Sequence, residues 1–202
     1  MRVNAQTQSD TRQRLLDAAA EAFAERGYHE TRIDAVSEAA GVAKGTIYNY
    51  FPSKEVVLQT LVAEACQLAG AAAHATPDDA STQAQLEAFV AENLRWARRR
   101  RALALLFARE LLAGDEQMKR LIRRAAAPCI TQVGAIIQAG IDRGEVRSAA
   151  APETLAFTFI CLTNMLLLQI WDTGAGWPRA GDLPRTAATL FLQGVGLSRS
   201  QD

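Results

Sequence analysis

The sequence predicts an all-α protein, on three observations. Hydrophobic residues make up 49% of the 202-residue chain and charged residues 22%, ordinary for a globular protein. Alanine, leucine and arginine, all strong helix formers, dominate the long segments, and aromatics are only 6%. Apolar residues recur at helical rather than alternating spacing along most of the chain. About nine helices are expected, in a small N-terminal domain and a larger C-terminal one.

Residues 1–9 are polar and read as an arm. The first helix is expected from Asp10 or Thr11, either of which can cap it. Leu15, Leu16, Ala19, Ala22 and Phe23 form its apolar stripe, and Gly27 suits its end. Thr31-Arg32-Ile33-Asp34 fits the capping-box pattern of a second helix, which Gly41 would break. A third, short helix is expected over Ala43–Tyr50, since Pro52 forbids its continuation. Ser53 then caps a linking helix of about 54–70, carrying Val57, Leu58, Leu61, Val62 and Ala65.

Residues 70–83 read as a loop. Beyond it, Leu86, Phe89, Val90, Asn93, Leu94 and Ala97 mark one helix, and 102–113 another ending at Gly114. A longer helix of about 116–143 contains Pro128, expected to kink or split it. Gly144 ends that helix, Pro152 suits the first turn of the next, and a loop over 171–182 precedes a last helix near 183–195. The almost uniformly apolar stretch Leu155–Trp171 spans 17 residues and includes Thr158, Thr163, Asn164 and Gln169. A bilayer span needs roughly 20 apolar residues, so a buried helix is the reading and no membrane is expected.

Composition narrows the function. The 22 Lys+Arg balance 22 Asp+Glu, and residues 1–55 hold 7 basic and 8 acidic side chains. Nucleic-acid contact must therefore come from locally placed charge, not from a basic domain. Cys66, Cys129 and Cys161 are widely spaced and odd in number. They suggest no disulfide framework, inert buried thiols and a reducing cytoplasm, although Cys66 or Cys129 would sense oxidants if its thiolate were stabilised. His29 and His74 lack neighbours at metal-ligand spacing, so neither metal nor cofactor is expected. GxSxG, phosphate-loop and HExxH patterns are absent, which argues against an enzyme.

The segment from Ile33 to Phe51 has the parts of a helix-turn-helix, about 32–51. Ile33, Val36, Ala40, Val42 and Ile47 would brace two helices across a tight turn, leaving Lys44, Gly45, Thr46, Tyr48 and Asn49 outward. The whole block LLDAAAEAFAERGYHETRIDAVSEAAGVAKGTIYNYFPSKEVVL resembles the N-terminal domain of TetR/AcrR-family regulators. That resemblance implies a DNA-binding domain over 1–55 and a ligand-binding and dimerisation domain over 56–202.

By the same resemblance, Thr31 would donate to a phosphate at the start of the second helix, and Lys44, Gly45 and Thr46 would meet the groove. Tyr48 and Lys54 would hold phosphates, with Asn49 near base edges. Arg32 would touch the backbone. Tyr50 joins this set, while Tyr50 and Phe51 also read as packing aromatics. Double-stranded operator DNA, a homodimeric partner and a small, largely apolar effector are the implied partners, with repression of a palindromic operator the implied activity. The dimer interface falls on the last two helices, at Phe157, Cys161, Leu168, Leu190 and Phe191. Pocket residues are Trp96, Phe107, Cys129, Asn164, Met165 and Trp171, each of which also reads as core packing. The alternative to an operator-binding regulator is a helical protein-interaction module of the same fold. The Arg98–Arg101 run reads as charge at a helix end.

Overall fold

The computed structural model describes residues 5–77, 79–147, 150–172, 179 and 181–195. Every regular element among them is helical: α1 (Ala5–Arg26), α2 (Ile33–Ala39), a 3-10 turn (Thr46–Asn49), α3 (Lys54–His74), α4 (Thr82–Arg99), α5 (Arg101–Ala113), α6 (Glu116–Asp142), α7 (Pro152–Asp172) and α8 (Leu183–Val195). Two compact units emerge, one of Met1–Ala63 with Arg99–Ala125, the other of Glu64–Arg98 with Ala126–Asp202.

In the first unit, α1 buries Leu15, Leu16, Ala19 and Phe23, the expected stripe. It begins at Ala5, however, so the expected arm over 6–9 is helical. Local side-chain bonds support the added turn: Gln6 donates to Asp10 at 3.1 Å and the Thr11 hydroxyl to the Thr7 carbonyl at 2.8 Å. The chain leaves α1 through Gly27, and its amide bonds the Phe23 carbonyl at 3.0 Å.

The expected capping box does not form. Arg32 is the N-cap of α2 and makes no side-chain cap bond. Thr31 is buried, its hydroxyl shared between the carbonyls of Gly27 at 2.7 Å and Ala22 at 3.0 Å. That hydroxyl secures the end of α1 instead of the start of α2.

The third expected helix contracts to the turn Thr46–Asn49, because Gly45 takes φ 81°, a left-handed conformation that interrupts a helical run from Ala43. Ser53 caps α3 as expected, accepting from the Val56 amide at 3.4 Å. Between α4 and α5 the helical path breaks at Arg100 (φ −122°, ψ 47°), whose guanidinium lies 2.6 Å from Asp17 of α1. The middle of the arginine run therefore ties α5 to α1.

The second unit has its core in Ala69, Ala73, Leu86, Phe89, Val90, Val133, Ile137, Phe159, Ala187 and Phe191. The Phe159 ring stands 6.5 Å from Phe89 and 5.0 Å from Phe191, so one aromatic joins α4, α7 and α8. Helix α3 runs to His74, past the expected loop start at Gly70. Gly70 serves packing there: a Cβ would stand 2.1 Å from the Gln132 Oε1 of α6. One turn away, Cys66 and Cys129 form a disulfide with Cα atoms 5.1 Å apart, a normal separation for the bond. The expectation of inert thiols without a disulfide is corrected at these two positions. Wide separation in sequence hid a pair that packed helices bring together.

Helix α6 continues through Pro128 as one element, so the expected split is absent. Its end is held by a small polar cluster. The Thr82 amide donates to Glu145 Oε2 at 2.6 Å, and Arg143 Nε lies 2.6 Å from Glu145 Oε1.

Candidate nucleic-acid interface

The first unit carries an open groove of about 490 Å³ whose lining includes Thr31, Arg32, Asp34, Tyr48, Ser53 and Lys54. Its position follows from local packing. Val36, Ile47 and Phe51 are buried, which fixes α2 against the turn that follows. Ile47 in the core forces its neighbours Tyr48 and Asn49 outward, and Tyr48 is 49% exposed. The buried Ser37 hydroxyl accepts from the Ile47 amide at 3.4 Å, and Arg14 bonds the Ala40 carbonyl at the end of α2. Arg12 adds a cationic cover over the Phe51 ring, 5.1 Å from its centroid.

Of the residues expected to face DNA, Arg32, Lys44, Tyr48 and Asn49 are exposed, and Gly45, Thr46 and Tyr50 are half-buried. Lys44 does not stand alone: its Nζ lies 2.8 Å from Glu38 Oε1. The Glu38 contact holds the Lys44 ammonium above the usual lysine range.

Two assignments change. Thr31 lines the groove, but its hydroxyl turns inward to the carbonyls of Ala22 and Gly27, so it has no outward donor for a phosphate. Lys54 directs its ammonium at three backbone carbonyls, Tyr28 at 2.9 Å, His29 at 3.1 Å and Thr31 at 3.1 Å. An ammonium has three N–H groups, so this set uses all of them. Lys54 also sits 4.5 Å from the Tyr28 ring centroid. Its positive charge remains beside the groove, while its hydrogen bonds shape the turn that leads into α2.

Sequence reasoning gave no role to Tyr28, Glu38 or Asp115. Burial, followed by the charge of Glu55, pushes the Tyr28 phenol up. Glu55 itself is held below the usual carboxylate range, first by its bond with Ser53. Asp115 accepts the Met118 amide at 2.8 Å, capping α6, and lies 3.2 Å from His29 Nε2. The signal for Asp115 was present as Asp directly before a helical run, the pattern of an N-cap.

The expected pocket residues scatter. Trp96 and Cys129 are buried and Asn164 half-buried in the second unit, while Phe107 belongs to the first. Cys129 is bonded to Cys66, and Met165 is 42% exposed. The side chains of Trp171 and Leu168 lie outside the described residues. Of the expected interface set, Phe157 is 50% and Leu190 52% exposed, and Cys161 is exposed. Phe191 is buried against Phe159 within its own chain, which corrects its assignment to the interface. Phe157, Cys161 and Met165 recur every fourth residue, so they form one exposed stripe along α7.

Comparison with known proteins identifies relatives over both parts of the chain. Residues 15–61 match the family described as bacterial regulatory proteins, tetR family, and residues 58–171 match the YcdC-like protein C-terminal region. The fatty acid metabolism regulator protein of Bacillus subtilis (strain 168) is 28% identical over 134 residues, covering 66% of this chain and 69% of that protein. The HTH-type transcriptional regulator RutR of Escherichia coli (strain K12) is 27% identical over 143 residues, 71% of this chain and 67% of RutR. Among solved structures, FadR from Bacillus subtilis in complex with stearoyl-CoA superposes with a TM-score of 0.75 at 22% identity, covering 91% of this chain and 98% of that one. Thermus thermophilus FadR in complex with lauroyl-CoA gives 0.69 at 25% identity, covering 94% and 97%.

Proposed function

The chain belongs to the TetR family of bacterial regulatory proteins, and from that premise we propose a cytoplasmic homodimer that represses a palindromic operator and releases it on binding an acyl thioester. The family membership makes it a ligand-responsive, DNA-binding transcriptional regulator. One observation carries the operator reading: Tyr48 and Asn49 project from a turn whose intervening anchors, Ile47 and Phe51, are buried. A small element so braced enters the major groove as a rigid probe, and the exposed Tyr48 phenol reaches a phosphate or a thymine methyl.

The exposed apolar stripe of Phe157, Cys161 and Met165 on α7, with Leu190 on α8, supports a two-fold interface. Dimerisation places two reading turns roughly 34–36 Å apart, the spacing of palindromic half-sites. The acyl-thioester class rests on relatives: two structural neighbours hold stearoyl-CoA and lauroyl-CoA.

The test is selection of duplexes from a random pool by the full-length protein, followed by titration of the enriched duplex with and without lauroyl-CoA or stearoyl-CoA. Enrichment of an inverted repeat, its loss in Tyr48→Ala, and release by either thioester are expected. A pool without an enriched repeat would overturn the operator reading, and retention of the duplex in saturating thioester would overturn the effector class alone.

A further inference from the structure

The Cys66–Cys129 bond joins α3 to α6, and both helices begin on the same short turn of the DNA-reading unit. At the start of α3, Lys54 bonds the carbonyls of Tyr28, His29 and Thr31. At the start of α6, the capping residue Asp115 lies 3.2 Å from His29. Cys66 is twelve residues beyond Lys54 and Cys129 fourteen beyond Asp115. We propose that this cysteine pair is a redox-controlled tie, oxidised by hydroperoxides and reduced by dithiols, which sets the turn over residues 28–31 and through it operator affinity.

The chemistry balances with one equivalent of each reagent. Two thiols and a hydroperoxide, ROOH, give the disulfide, ROH and water; the O–O bond breaks and the S–S bond forms. A dithiol reverses it by exchange, regenerating both thiols and leaving as its own disulfide. The fold holds the two Cα atoms 5.1 Å apart, a normal separation for the bond. In a cytoplasmic regulator a disulfide is a conditional bond rather than a permanent one.

The consequence for DNA rests on the operator reading, but the tie itself is measured without DNA. Full-length protein is reduced with dithiothreitol or oxidised with tert-butyl hydroperoxide, and its thiols are mapped by non-reducing mass spectrometry. Amide exchange over residues 28–35 is then compared in the two states, together with affinity for the selected duplex. Oxidation should join Cys66 to Cys129, change exchange in that turn, and shift operator affinity at least about fivefold, the lower range of allosteric coupling. Cys66→Ser should abolish the response; if Cys66→Ser does not fold, the two states of the unaltered protein decide. Exchange unchanged between the states, or Cys66 and Cys129 left unbonded after oxidation, overturns the proposal. Changed exchange in a protein that selects no duplex leaves the tie standing and removes the operator reading instead.

Discussion

Lys44 Nζ lies 2.8 Å from Glu38 Oε1, so an exposed cation expected to face DNA is paired with an acid of the preceding helix. A phosphate meeting Lys44 would share the ammonium with that carboxylate and compete with it for the charge. Substituting Glu38→Gln should therefore raise affinity for a non-cognate duplex about two- to fivefold at low salt, because solvent screening leaves an exposed pair only weakly held. The slope of log affinity against log salt should steepen by no more than about one charge. Fluorescence anisotropy on a scrambled duplex measures both quantities. Unchanged affinity and slope would show that Lys44 does not meet phosphate.

Lys54→Met should damage the fold before it damages the DNA contact. The substitution leaves the carbonyls of Tyr28, His29 and Thr31 without their shared donor and removes the charge 4.5 Å from the Tyr28 ring. A loss of about 1–3 kcal/mol is expected in urea unfolding. Tyr48→Phe makes the contrast: its ring is 49% exposed, so stability should hold while operator affinity falls. Equal stability of Lys54→Met and the parent would return Lys54 to the role of a simple phosphate contact.

Acid should weaken the second unit through Glu145. Its bond with Arg143, then the Thr82 amide, holds the carboxyl down at about 2, against an ordinary value of 4.5. A carboxylate depressed in the folded state contributes stability that is complete above the unfolded value and is lost as pH falls through the folded one. The melting temperature should thus decline between about pH 5 and pH 2, and Glu145→Gln should flatten that decline while lowering stability at neutral pH. A parallel decline in both proteins would assign the acid sensitivity elsewhere.

The helical outline was legible because it depends on local signals: Gly27, Ser53, Gly144 and Pro152 mark ends that the structure keeps. Errors arose where a residue serves a distant partner. Gly70 reads as a loop glycine but makes room for Gln132, and Thr31 reads as a cap but bonds back to α1. The outward positions of Lys44, Tyr48 and Asn49 followed from the apolar spacing of Val36 and Ile47. Lys54's three carbonyls and the Cys66–Cys129 pair were not legible, since both join segments more than twenty residues apart. Periodicity also could not separate Phe191 from Leu190: the two are adjacent on α8, and only the packing of Phe159 decides which turns inward.

That division on α8 yields a test of dimerisation. Leu190 is 52% exposed and Phe157 of α7 is 50% exposed, whereas Phe191 is buried at 4%. A charge at an exposed apolar contact disrupts association without hollowing the monomer's core, because the side chain is solvated whenever the partner is absent. Phe157→Asp with Leu190→Asp should therefore give a folded monomer by sedimentation, with its helical signal retained. Operator affinity should drop by a factor of a hundred or more, on the order of losing one half-site's several kcal/mol. Phe191→Ala makes the converse case: a buried aromatic is lost, stability falls by about 3–5 kcal/mol, and any dissociation follows unfolding. A dimer persisting in the double aspartate variant would move the interface off this face of α7 and α8.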